Sequence, residues 1–168
     1  MTTRTIEVLV GNPTAGSRTR TIAEDLADRI SALTGAARAE TIELAEHTAE
    51  AFTWPSPALD AFVERVRGAT YLVVASPTYK AGYTGLLKAF LDRFAADSLS
   101  EVVAVPLFTI GSDAHALAVE YTLRPLLVEL GASVPTRGLA FPTQRFDERA
   151  EILSAWVAAQ APKLVRAR

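Results

Sequence analysis

Tyr71-Leu72-Val73-Val74-Ala75 is apolar at every position and runs into Ser76-Pro77-Thr78-Tyr79-Lys80-Ala81-Gly82-Tyr83-Thr84-Gly85. A strand with one wet face alternates polar and apolar residues. An unbroken run of this kind is instead expected of a strand covered on both faces, as in a parallel sheet. The flanks agree. Upstream, Ser56-Pro57 places an N-cap serine before a proline at the first helical position, and Leu59, Phe62, Val63 and Val66 then share one face up to Gly68. Downstream, Leu86–Phe94 reads as another helix. Helix, buried strand, helix is the repeating unit of an α/β chain.

The alternation continues outward in both directions. Ile6–Val10 is a short β run ending at Gly11, and Ile22, Leu26, Ile30 and Leu33 follow at helical spacing with Gly35 as a stop. Thr41–Leu44 reads as a second, weaker strand and His47–Pro55 as an irregular loop. Val102–Ile110 is a fourth strand in spite of Pro106, which is expected at a bulge or a strand end because it cannot donate to the ladder. Ala114–Leu130 reads as a long helix interrupted by Pro125, Val134–Phe141 as a fifth strand and Asp147–Val165 as the last helix. Strands joined by helices pair in parallel through right-handed crossovers. These elements fit an α/β, flavodoxin-like doubly wound five-stranded parallel sheet of order 2-1-3-4-5 with helices on both faces, one domain over residues 1–168.

Composition narrows the chemistry. With 17 Lys+Arg against 19 Asp+Glu the net charge is −2, which argues against a nucleic-acid partner and against the acidic docking surface of a small electron carrier. The absence of cysteine excludes a thiol nucleophile, a disulfide redox pair and cysteine-ligated metal or iron–sulfur centres. His47 and His115 are too few for a histidine-rich metal site. Any redox chemistry must come from a bound organic cofactor. No signal-type apolar segment precedes the first strand, and no run approaches the roughly 18 apolar residues needed to cross a bilayer. The expectation is a cytoplasmic protein with no membrane partner.

In a sheet of this order, ligands sit beyond the carboxyl ends of the strands, where strand order reverses. That rule selects the loops Gly11–Arg20, Ser76–Gly85 and Thr109–His115. The first, Gly11-Asn12-Pro13-Thr14-Ala15-Gly16-Ser17-Arg18-Thr19, opens a helix whose unpaired N–H groups and positive dipole end suit a phosphate. Ser17 and Thr19 can add hydroxyls and Arg18 a charge. The alternative is a capped turn, with Ser17 or Thr21 as N-cap, the latter through a Thr21-x-x-Glu24 capping box. Neither a Walker loop nor G-x-G-x-x-G is present. In the second loop Pro77 restricts the turn, and Gly82 and Gly85 admit close approach to a flat ligand; the alternative is a surface turn with scattered aromatics. The third loop offers backbone donors and His115, which either caps, packs or meets a ligand. A hydrolase reading of Ser112, Asp113 and His115 lacks the Gly-x-Ser-x-Gly elbow.

Together these loops resemble the NADPH-dependent FMN reductase family, and more narrowly the flavin-reductase components of two-component alkanesulfonate monooxygenase systems. Gly11-Asn12-Pro13 through Ser17-Arg18-Thr19 resembles the family's phosphate loop, Gly-Ser-Pro followed by Ser-Arg, with Asn12 in place of the serine. Pro77-Thr78-Tyr79-Lys80-Ala81 with Tyr83-x-Gly85-x-Leu87-Lys88 is similar to the flavin-ring segment almost residue for residue, and Thr109-x-Gly111 with His115 is similar to the third flavin loop. The resemblance runs to the helix around Leu130 and fades beyond about Pro135. It implies FMN bound by Asn12, Pro13, Ser17, Arg18 and Thr19 around the phosphate. Pro77, Thr78, Tyr79, Lys80 and Ala81 would line the ring, mostly through backbone, and Thr109, Gly111 and Ser112, with His115 in the same loop, would edge it.

The resemblance also implies hydride transfer from NADPH or NADH to FMN without a side chain acting as general acid or base, the reduced flavin serving a partner flavin-dependent monooxygenase. The alternatives are a quinone or azo reductase that keeps FMN as a prosthetic group, and a non-enzymatic flavodoxin-like electron carrier. Family members form homodimers or homotetramers on the face near the flavin, which implies Lys88, Asp92 and Tyr121 in that contact. Pro125 has no N–H, so the carbonyl of Tyr121 loses its regular partner. His115–Tyr121 resembles the segment in which flavin-releasing members carry an inserted residue and a π-helical bulge. The expectation is a bulge or kink within one turn of Tyr121; the alternative is a proline kink with a buried tyrosine.

Overall fold

The computed structural model describes residues 4–166. Strands β1 (Thr5–Val10), β2 (Ala37–Arg38), β3 (Ile42–Glu43), β4 (Tyr71–Pro77), β5 (Val103–Ile110) and β6 (Leu139–Pro142) form one parallel sheet in the order β2-β1-β4-β5-β6, with β3 also against β1. This is the expected order, except that its second strand is two short pieces, so the sheet has six strands. Helices α1 (Arg18–Thr34), α2 (Pro57–Arg67), α3 (Gly85–Leu91), α4 (Arg124–Glu129) and α5 (Arg149–Arg166) cover both faces.

The faces have separate cores. Ile22, Leu26 and Ile30 of α1 and Leu153, Val157 and Leu164 of α5 pack with Ile6, Val8, Val73, Val105 and Leu107. On the other face Leu59 and Val66 of α2, Leu87 and Phe90 of α3 and Leu127 of α4 pack with Leu9, Leu72, Val74, Ala104 and Phe108. β4 lies between the two and every one of its residues is buried, which is why it carries no polar alternation. Tyr71 keeps its ring in this core because its hydroxyl donates to the Leu164 carbonyl at 3.0 Å.

Local signals decide most helix ends. Ser17 caps α1 by accepting from the Arg20 amide, and Gly35 ends it at φ 73, a left-handed conformation that glycine adopts without a Cβ penalty. The Thr21 capping box is not used; Thr21 lies inside the first turn, and Glu24 instead pairs with Arg20 and Arg38. Ser56 and Pro57 open α2 as expected.

Several expectations are corrected. β4 runs on through Ser76 and Pro77, which pair with Phe108 and Thr109. Of the loop expected over His47–Pro55, residues 47–50 belong to a 3-10 stretch, Leu44–Glu50, kinked at His47, and 51–55 are irregular as expected. α3 stops at Leu91, not Phe94, because Arg93 and Phe94 bond back to Phe90 and Leu91 in tighter turns. The fifth strand is only Leu139–Pro142, since the carbonyls of Val134 and Thr136 are taken by Arg124 at 2.6 Å each. α5 starts at Arg149, after a 3-10 stretch over Thr143–Glu148.

Pro106 sits in the middle of β5, neither at a bulge nor at an end. Val103 donates to the Thr70 carbonyl and Ala104 to the Ser133 carbonyl, so even-numbered residues of β5 point away from β4. On that side the ladder with β6 begins only at Leu107. The missing donor of Pro106 therefore faces a stretch with no strand to receive it.

The long helix expected over Ala114–Leu130 is three pieces: a 3-10 turn at Asp113–His115, a π-helical turn at Val119–Leu123 and α4. The Arg124 amide bonds to the Val119 carbonyl, five residues back, immediately before Pro125. A π turn adds one residue to a helical turn, which is one way a helix adapts to a proline that cannot close the ladder. Tyr121 is at its centre and is 74% exposed, so it is not a buried tyrosine.

Candidate functional site

β1, β4 and β5 are neighbours, so the loops leaving their carboxyl ends converge. The convergence is bonded. Thr19 and Thr109 place their hydroxyl oxygens 2.8 Å apart, both residues buried. Asn12 donates to the Thr19 hydroxyl at 3.0 Å and accepts from the Thr14 amide at 2.9 Å. Asn12 thus uses both ends of its side chain inside loop one, the position where the family motif carries serine. The Thr78 amide donates to the Thr109 carbonyl at 2.9 Å and joins loop two to loop three.

Loop one is held from below by Glu43, which is 4% exposed. Its carboxylate accepts from the Gly16 amide at 2.8 Å and from Arg20 at 2.6 Å. Hydrogen bonds from Arg20 to Glu24 and Glu43 raise the Arg20 pKa above its usual range. Ser17 and Arg18 stand at the opening of α1, where no earlier turn supplies carbonyls to the first amides. The Arg18 guanidinium lies 5.3 Å from the Phe146 ring. Pro13 is exposed beside them.

In loop two Tyr79 and Gly82 exchange backbone bonds of 2.9 and 3.1 Å, leaving Lys80 and Ala81 as the turn between them. The left-handed residues are Lys80 (φ 51) and Ala81 (φ 64), not the glycines. A Cβ at Gly82 or Gly85 meets nothing within 4 Å, so the space over both is free of protein. Thr78, Tyr79, Lys80, Ala81 and His115 line an open cleft of about 640 Å³. The Thr78 hydroxyl is buried there without a protein partner. Pro77 is the last residue of β4. Gly111 and Ser112 are exposed and do not line the cleft; Ser112 caps the turn that carries His115, and the Gly111 carbonyl accepts from Gln144 at 2.7 Å.

Three residues not singled out in the sequence organise this site. Thr84 caps α3, donates its hydroxyl to the Gly11 carbonyl, and donates its amide to the Ser76 hydroxyl at 3.1 Å. A threonine before Gly85-Leu86-Leu87 is a legible cap signal. Ser76 ties the two ends of loop two together and Glu43 reaches across to loop one, and neither had a local signal. Gly11 has a packing reason: a Cβ there would sit 2.5 Å from that of Leu87. Among the described residues no group of three or more histidines and carboxylates could hold a metal ion, and no helix is long and apolar enough to cross a membrane.

The sequence model described as NADPH-dependent FMN reductase matches residues 4–145, further than the motifs alone reach. An FMN reductase (NADPH) of Escherichia coli strain K12 is 45% identical over 84 residues, 50% of this chain and 44% of that protein. The NADH-dependent FMN reductase SfnF of Pseudomonas putida is 32% identical over 156 residues, 88% of this chain and 83% of that protein. The chain thus spans less than half the length of the first relative and most of the second. Among solved structures, an apo NADH:FMN oxidoreductase (EMOB) superposes with a TM-score of 0.83 at 31% identity, covering 95% of this chain and 89% of that one. An oxidoreductase from Corynebacterium diphtheriae gives 0.85 at 31% identity, covering 98% and 96%.

Proposed function

The chain belongs to the NADPH-dependent FMN reductase family, and from that premise we propose that it uses NADPH or NADH to reduce FMN and passes the reduced flavin to a flavin-dependent monooxygenase. The observation that carries this reading is the convergence of a helix start bearing Ser17 and Arg18 with an acid-free cleft lined by Thr78–Ala81 and His115. The residues present fit FMN. The first amides of α1, with Arg18, can take a dianionic phosphate. The free space over Gly82 and Gly85 and the unpaired Thr78 hydroxyl suit a flat ring edged with polar atoms.

Bound FMN supplies the hydride acceptor. The chain's own residues bind and orient. Ser17 and Arg18 hold the phosphate end, with Asn12, Pro13 and Thr19 shaping the loop behind it. Pro77–Ala81 set the plane of the ring and His115 borders its far edge, while Thr109 ties its loop to the other two and Ser112 caps the turn that carries His115. No side chain is assigned a proton transfer.

The π turn favours release over permanent retention. It follows the turn carrying His115; Tyr121 within it is 74% exposed, and Leu117 just before it is 61% exposed. We place the homodimer or homotetramer contact on this turn, where a loosened helix would let reduced flavin leave.

Steady-state oxidation of NADPH and NADH against FMN, FAD, riboflavin and a quinone tests the proposal, together with the absorbance of the purified chain. A colourless protein that turns over added FMN is the expected result. A yellow protein with bound flavin that prefers the quinone would assign the prosthetic-group alternative, and no oxidation with any flavin would overturn the reading.

A further inference from the structure

We propose that Lys80 takes a phosphate group of the nicotinamide dinucleotide reductant and so helps decide which reductant is used; the assignment rests on the reductase reading above. The first observation is the backbone. Lys80 and Ala81 fill the central positions of a two-residue turn closed on both sides by Tyr79 and Gly82, with φ of 51 and 64. Turns of this type favour Asn-Gly, because side chains with a Cβ are strained at positive φ. An exposed lysine held there is strained, the kind of outlier that points to a role in a site.

The second observation is charge. Lys80 lines the cleft, whose lining contains no Asp or Glu. Among the described residues it pairs with no carboxylate, whereas nearby Lys88 is paired with Asp92. An unpaired ammonium beside neutral polar groups favours an anion. The third observation is position. The flavin phosphate is assigned to Ser17 and Arg18, and no residue of that loop lines this cleft. A nicotinamide must lie against the flavin ring for hydride transfer, so it enters from the cleft and brings its phosphates past the turn. Its pyrophosphate is common to both reductants, and a 2′-phosphate distinguishes NADPH.

Two variants test the idea. Lys80→Asn removes the charge and tolerates the left-handed turn; Lys80→Arg keeps the charge. KM for NADPH, NADH, FMN and riboflavin is measured for each, with calorimetric Kd for adenosine 2′,5′-bisphosphate and ADP, which need no turnover. Lys80→Asn is expected to raise the reductant KM and weaken a probe by about tenfold or more, as for loss of one charge-assisted bond, and by more than any change in the KM for FMN, with Lys80→Arg restoring reductant binding. A loss confined to NADPH and the bisphosphate assigns the 2′-phosphate; an equal loss with NADH and ADP assigns the pyrophosphate. Unchanged reductant KM and probe Kd, or a rise in KM for FMN alone, overturns the proposal while leaving the reductase reading intact. Absence of flavin turnover in the unaltered chain overturns that reading instead, and probe binding still decides Lys80.

Discussion

Thr19 and Thr109 are 90 positions apart, yet their hydroxyl oxygens meet at 2.8 Å in a buried contact where α1 leaves β1 and β5 ends. The Thr14 amide fixes the Asn12 side-chain oxygen, so the Asn12 nitrogen donates to Thr19. The Thr19 hydroxyl still has its own proton and a second lone pair, so either threonine can donate to the other. The contact locks the phosphate loop to the third loop.

Thr109→Val removes the buried hydroxyl partner of Thr19. It should lower stability by about 1–3 kcal/mol in urea unfolding and weaken FMN binding. The Thr19→Val/Thr109→Val double variant should cost less than the two single variants together. Strict additivity would show that the contact carries no coupling.

Arg18 is exposed and touches the Phe146 ring, which also carries Arg149 at 4.5 Å. Arg18→Ala should therefore change stability by no more than about 0.5 kcal/mol. It should raise KM for FMN roughly ten- to a hundredfold and leave that for riboflavin, which has no phosphate, nearly unchanged. Equal effects on the two flavins would move the phosphate elsewhere.

Deleting Tyr121 removes the residue at the centre of the π turn. The helix should return to regular spacing ahead of Pro125, and the purified protein should retain flavin and turn over free FMN more slowly. A variant that stays colourless and equally active would separate the π turn from flavin release.

The π turn is clamped to the segment before β6 by Glu120. Its carboxylate pairs with Arg124 and accepts from the Gly138 amide at 2.6 Å. The Arg124 bond, aided by Gly138 and opposed by burial, holds its pKa below the ordinary 4.5. A depressed carboxylate pKa gives stability that is fully present above about pH 4.5 and is lost as pH falls through the folded-state value. Glu120→Gln lacks this increment. The gap between its urea midpoint and that of the unaltered chain should be widest near neutral pH and shrink on acidification below about 4.5. A gap that stays constant into the acid range would mean the clamp does not depend on charge.

The fold class and the three loops were legible because their signals are local. Tyr71–Ala75 declares burial on both faces by its own composition, Ser56-Pro57 starts a helix within one turn, and the missing N–H of Pro125 forces an adjustment around Tyr121. The tertiary structure alone decided what depends on partners far along the chain. Pro106 is tolerated mid-strand because β6 starts late, and β6 starts late because Arg124 holds the carbonyls of Val134 and Thr136. Glu43 reaches Gly16 across 27 positions and Thr84 reaches Gly11 across 73. Periodicity and capping act within a few residues, whereas the bonds of Glu43 and Thr84 exist only once the sheet has set β3 and β4 on the two sides of β1.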